Sequence, residues 1–136
     1  MNNRILLAAL AGGVAFFLLG WLVWGVLLMD MMRESCPGFA AVQKDPPDFV
    51  LIIVSNLCGG LLSALLFSRW AGITTFTGGA TAGAWVFGLI ALSIDIMYMA
   101  TTTLMTWAGA ATDVVVNIVV GALAAGVVGW VLGYKR

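Results

Sequence analysis

The sequence predicts an all-α integral membrane protein, a four-transmembrane-helix bundle in up-down order with both termini cytoplasmic. Three observations carry that expectation: the composition, four long apolar stretches, and the distribution of basic residues. Of 136 residues, 62% are hydrophobic and 9% charged, against about 25% charged in ordinary soluble domains. The mean hydropathy is +1.10. A surface so poor in charge is not built for water. A net charge of zero also argues against a nucleic-acid partner, because phosphate binding needs a basic patch.

Stretches of about 20 apolar residues fall at 5–30, 49–68, 80–104 and 113–133, all within one membrane domain covering 1–136. The first begins after Met-Asn-Asn-Arg and runs from Ile5 to Met29. That exceeds the ~7–15 residues of a signal-peptide core, and no small-x-small cleavage site ends it, so it reads as a retained span. Residues 33–48 form the longest polar connection, the expected outer loop, in which Phe39-Ala-Ala-Val42 suits either one helical turn or a segment on the membrane surface. Pro46 and Pro47 close that loop, and Asp48 stands where the N-cap of span two belongs. A link rich in Thr and Gly follows at 69–79. Residues 105–112 read as a tight turn, with Thr112-Asp113 capping span four as Asp48 caps span two. Asp30, Arg33 and Glu34 form an ordinary helix-end charge cluster.

Orientation follows from the basic residues. With four alternating spans, Arg4, Arg69, Lys135 and Arg136 share one side, and only Arg33 and Lys44 lie on the other. The positive-inside rule then places both termini in the cytoplasm. Cys36 lies in the polar loop and Cys58 ten residues beyond Asp48, about 15 Å along a helix. That separation is too large for a disulfide, and both thiols are expected to be free.

Lipid gives helices no hydrophobic reason to associate, so small residues that permit close backbone approach carry the packing. Among the 17 glycines, Gly13, Gly20, Gly59, Gly60, Gly88, Gly121 and Gly129 are the expected helix-packing positions. In span three, Ala80, Ala84, Gly88, Ala91, Asp95, Tyr98 and Thr102 recur on one helix face. The opposite side, Val86, Phe87, Ile90, Ile94 and Met97, is left for lipid or a partner. Asn56-Leu-Cys-Gly-Gly60 and Asn117-Ile-Val-Val-Gly121 share an Asn followed four residues later by Gly, a faint repeat between two hairpins.

Asp95 is the chemically conspicuous residue, because an ionisable group within a span is a functional suspect by default. It falls on the small-residue face, eight residues before Thr103, or roughly 12 Å in from the helix end. Asn56 lies equally far from Asp48, Asn117 one turn from Asp113, and Trp24 six residues before Asp30. The expectation is a polar intramembrane layer of Asp95, Asn56, Asn117 and Trp24 without a cation. Two roles compete for it: interhelical hydrogen bonding, favoured for a single carboxyl, or binding and relay of protons or cations. Asp48 and Asp113 read more simply as caps than as ligands. The tryptophans mostly sit near span ends, as interfacial belts do.

Absences narrow the chemistry. There is no histidine, hence no His-ligated haem or zinc and no Ser-His or Cys-His nucleophile. No Cys-x-x-Cys or phosphate-loop motif occurs, so no metal, no cofactor and no enzymatic activity are expected. Gly20-Trp-Leu-Val-Trp-Gly-Val-Leu-Leu-Met-Asp30, with its Gly-x-x-x-Trp pattern, resembles a family of small bacterial four-helix membrane proteins, a domain of unknown function. Lys44-Asp-Pro-Pro47 and Ser68-Arg-Trp-Ala-Gly-Ile73 are similar to segments of that family. The resemblance implies a four-helix domain and transfers no site residue. The expected role is a structural or accessory subunit of the bacterial inner membrane, multi-pass and surrounded by the lipid bilayer, associating with itself as a homo-oligomer or with a larger membrane complex. A small proton or cation transporter or channel built on the layer around Asp95 is the alternative, and a lipid or apolar-ligand binder the third reading.

Overall fold

The computed structural model describes residues 2–134, so Lys135 and Arg136, used above for orientation, lie outside the described residues. Every regular element among the described residues is helical. α1 (Asn3–Leu22) continues through a π-helical turn, Val23–Leu27, into short α2 (Met29–Ser35) and α3 (Pro37–Ala40). α4 (Phe49–Leu65) likewise ends in a π-helical segment, Leu66–Ala71, and α5 (Phe76–Thr101) and α6 (Trp107–Gly133) complete the chain. Four helices, Asn3–Leu27, Phe49–Ala71, Phe76–Thr101 and Trp107–Gly133, are long and apolar enough to cross a membrane.

Side-chain caps set most of the helix starts. Asp48 Oδ1 accepts from Leu51 N–H at 3.1 Å, and Thr75 Oγ1 accepts from Gly78 N–H at 3.0 Å. Thr106 Oγ1 accepts from Gly109 N–H at 3.2 Å. That last cap corrects the expected start of span four. α6 begins at Trp107, and Asp113 lies inside the helix, where its carboxyl is free for tertiary contact. Span three correspondingly begins at Phe76 and not at 80, leaving 102–106 as the turn. Gly72 ends the second long helix in the left-handed region (φ 61°), where its missing Cβ removes the usual penalty. The outer loop is partly helical, since α2 and α3 occupy most of 29–40.

Contacts between helices run antiparallel in both hairpins. In the first, Gly60 of α4 meets the backbone of Ala9, Gly12 and Gly13 on α1. In the second, Gly79 meets Ala125, Gly83 meets Gly121, and Gly129 meets Thr75. The hairpins join through α1 and α6, giving the order α4–α1–α6–α5, with no comparable contact between α4 and α5. α6 is the most enclosed helix. Ala8, Ala9, Ala64, Phe67, Ala125, Val128 and Leu132 form the core at the end of the bundle that carries the termini. Phe16, Val120 and Ala124 continue it toward the middle.

Five of the seven expected packing glycines hold close contacts. Gly13 abuts Leu57, Gly60 abuts Ala9 and Gly13, and Gly88 faces Ile118; Gly121 meets Phe87 and Gly129 meets Thr75. Gly59 makes only ordinary contact with the Phe16 ring, 3.6 Å from where a Cβ would stand. Gly20 is a correction: a Cβ there would touch nothing, because α1 and α4 have separated at that level. Gly12, Gly79, Gly83 and Gly126 are tight contacts that were not anticipated. Phe87 is a second correction. It points inward, its ring 4.7 Å from that of Phe16, because the helix face in contact passes through Gly79 and Gly83 and not Ala80 and Ala84.

These contacts predict opposite outcomes for two glycine substitutions. Gly83→Val forces a branched side chain against the Gly121 backbone and should cost about 1–3 kcal/mol. Gly20→Ala meets open space and removes a helix penalty, so it should stabilise by up to about 1 kcal/mol. Thermal unfolding in detergent, followed by size-exclusion chromatography, measures both.

Candidate functional site

At the end of the bundle opposite the termini, the packing gives way to a cavity of about 1220 Å³. Its cause is visible in α4. From Phe49 to Ser55 every residue is exposed, so this half of the helix stands away from its neighbours. The wall opposite comes from the end of α1, where the π-helical turn, closed by Leu28 N–H donating to Val23 at 2.8 Å, presents Trp24 and Gly25 to the cavity. Such turns insert one extra residue and re-aim side chains, often at functional sites. The loop between α1 and α4 covers the cavity from above. It is pinned there by Thr106 Oγ1 donating to the Ser35 carbonyl at 2.6 Å and by the edge-on rings of Phe39 and Tyr98, 6.1 Å apart.

Four carboxyl groups line this cavity: Asp45 and Asp48 at the loop, and, within the long helices, Asp95 from α5 and Asp113 from α6. Asp95 lies six residues before the end of α5 at Thr101 and Asp113 six residues after the start of α6 at Trp107, each about 9 Å along its helix. Equal depth on antiparallel neighbours brings the side chains within hydrogen-bonding reach of each other. Asp95 is 4% exposed, and no donor reaches its Oδ2. Asp113 is held by Asn117, whose Nδ2 donates to its Oδ2 and to its backbone carbonyl, both at 2.9 Å. Two carboxyl oxygens can bond only through a proton carried by one of them. Asp95 Oδ2 is left without a donor, so the pair is fixed by an amide on the Asp113 side alone.

Of the expected polar layer, Asp95, Asn56 and Trp24 all line the cavity. Asn117 stands behind it and acts through Asp113. Asn56 spends its Nδ2 on its own helix, donating to Ile52 O at 2.7 Å, and does not supply the donor that Asp95 Oδ2 lacks. Asp113 is the residue sequence reasoning placed wrongly. Thr106-Trp-Ala-Gly109 was the available signal, since a Thr three residues before Gly109 can cap a helix starting at Trp107 and leaves Asp113 in its second turn. Among the described residues no group of three or more His, Cys, Asp or Glu side chains could hold a metal ion.

Cys36 closes the site above the carboxyl pair. It is 2% exposed and packs on Gly109, where any Cβ would collide with its sulfur. Both cysteines are free. Burial pushes the Cys36 thiol above its ordinary value; a hydrogen bond with the Thr106 backbone works the other way, and the negative charges of Asp113 and Asp95 add to the rise.

Comparison with known protein families, with characterised proteins and with solved structures finds no match to this chain. The resemblance carried by Gly20–Asp30 therefore rests on its motifs alone, and the functional reading rests on the geometry above.

Two outcomes test that geometry. Asp95→Leu leaves Asp113 without its partner and should cost about 1–3 kcal/mol, whereas Asp95→Leu with Asp113→Leu should recover most of the loss, as paired polar groups replaced together do. Equilibrium unfolding in detergent gives both values. In a Cys58→Ser background, maleimide should label the buried Cys36 more slowly than a free thiol at pH 7.5. The rate should keep rising with pH beyond the range where a free thiol levels off, because a raised thiol yields its reactive anion later.

Proposed function

We propose that the chain is a multi-pass protein of the bacterial inner membrane that binds and moves protons or small cations at Asp95 and Asp113. The observation supporting this most directly is the placement of the carboxyl pair. An acid inside a span is costly, about 2.5–3.5 kcal/mol when unpaired, and packing alone would seal it among side chains. Here both acids border a large cavity, Asp95 almost wholly covered and Asp113 partly open. With alternating spans the sequence puts Arg4, Arg69, Lys135 and Arg136 on the side away from the cavity and only Arg33 and Lys44 beside it, so the cavity end faces outward by the positive-inside rule. The half bearing the termini is closed by the alanine and glycine contacts of all four helices. A path open on one side and sealed on the other describes one state of a transporter better than a continuous channel.

Reconstitution into liposomes holding a pH-sensitive dye tests the reading. Wild type should dissipate an imposed pH gradient, and Asp95→Asn and Asp113→Asn should each abolish that activity while still running as folded protein in detergent. An inert wild type, with variants that differ only in stability, would sink it. The pair would then be interhelical hydrogen bonding, and an accessory subunit would be the reading to pursue, by weighing mildly solubilised complexes for a stoichiometric partner.

A further inference from the structure

The cavity that the carboxyl pair lines is far larger than a proton relay or a bare metal ion needs. At about 1220 Å³ it exceeds the roughly 300–1,000 Å³ of pockets that enclose drug-sized molecules. Its walls are chemically particular. Aromatic rings come from Trp21, Trp24, Phe39, Phe49 and Tyr98, and thioethers from Met29, Met32 and Met105. A hard inorganic cation gains little there, since calcium, for example, takes 6–8 oxygen ligands and no metal cluster is present among the described residues. An organic cation gains twice. Its charge is attracted to aromatic faces and to carboxylates, and its apolar body replaces water against rings and flexible methionines.

Resting on the transport reading above, we propose that the cavity binds one hydrophobic organic cation, a protonated amine or an onium ion bearing apolar groups, whose charge is balanced by Asp95 and Asp113. The buried Oδ2 of Asp95, which no donor reaches, is the second sign of a missing ligand, independent of the cavity's size. Entry of a cation displaces the proton shared by the pair. No covalent change occurs: a cation replaces a proton, and the proton leaves to solvent. The charged and titratable groups around this exchange are Tyr98 from α5, Asp113 from α6, Cys36 from the loop, and Arg33, Lys44, Asp45 and Asp48 around the cavity. Those last four cancel in charge, which leaves the buried acids to set the preference for a cation. Binding therefore weakens as pH falls, because protonating the pair removes the negative charge the ligand needs.

Equilibrium binding of radiolabelled tetraphenylphosphonium to the full chain in detergent tests this. Saturable binding of one ion per chain is expected, weakening at acid pH and displaced by unlabelled cation but not by neutral triphenylphosphine oxide. Asp95→Asn and Asp113→Asn should each weaken it by at least about tenfold. Trp24→Ala, which leaves the acids intact, should weaken it about threefold or more without losing its pH dependence. Competition by the neutral oxide, or binding indifferent to both acid variants, would overturn the proposal in favour of an apolar-ligand or lipid site. Proton movement in liposomes without saturable cation binding would overturn it too, while leaving the transport reading standing.

Discussion

The close approach of glycine-bearing helices at one end of the bundle is the constraint on which the remaining structure depends. Gly60 seats α4 on α1, and the run Gly121, Ala125, Gly129 and Gly133 seats α6 on α5. In a lipid setting such contacts work through dispersion and backbone proximity and not through exclusion of water. They are therefore short-ranged. Where small residues give way to large ones, nothing pulls the helices together. α4 shows this directly: below Asn56 it offers Gly59, Gly60, Ser63 and Ala64, and above it Val50, Ile52, Ile53 and Val54. The same helix is packed at one end and free at the other.

The acid pair depends on that difference. Had α4 remained against α1 along its whole length, the carboxyls would be sealed within the bundle and serve only to join α5 to α6. The separation exposes their level of the bundle to a cavity while α5 and α6 stay together, held through Gly88 on Ile118 below the acids; above them the Thr106–Ser35 bond ties the covering loop to the start of α6. A rigid pair of helices thus carries the acids, and a loosely held helix bounds the space beside them. This division suits a site that must hold its charged groups in place while admitting a ligand.

Much of this was legible in the sequence, and the failures have physical causes. Apolar length gave the four helices, and Asp48 capped α4 as its side chain dictates. The depth of Asp95, counted along a helix, placed it level with Trp24 and Asn56, which line the same cavity. Asp113 was misplaced because a Thr-Asp pair before an apolar run looks like a cap, and only the tertiary course of the chain shows that Thr106 had already capped the helix. Gly20 and Gly12 are alike in sequence but differ in whether another backbone lies opposite, which no single-helix pattern records. Phe87 turned inward because the packed stripe starts at Gly79 and Gly83, one turn before it, and reaches Gly88, Ala91 and Asp95 only farther along the helix.

The two hairpins share a frame, and the site lies where they differ. Gly13 meets the α4 segment around Gly60 as Gly83 meets Gly121, and Asn56 and Asn117, each four residues before that glycine, donate to the carbonyl one turn back. Carrying the frame along both helices sets Gly25 of the first hairpin against Asp95 of the second, and Ile52 against Asp113. The second hairpin is joined at this level by two carboxyls. The first has glycine in a π-helical turn opposite a branched apolar side chain, a combination with nothing to hold it together. Both Gly25 and Ile52 line the cavity. The opening is therefore the first hairpin's counterpart of the acid contact, left unmade, so that one hairpin carries the acids and the other leaves the space beside them.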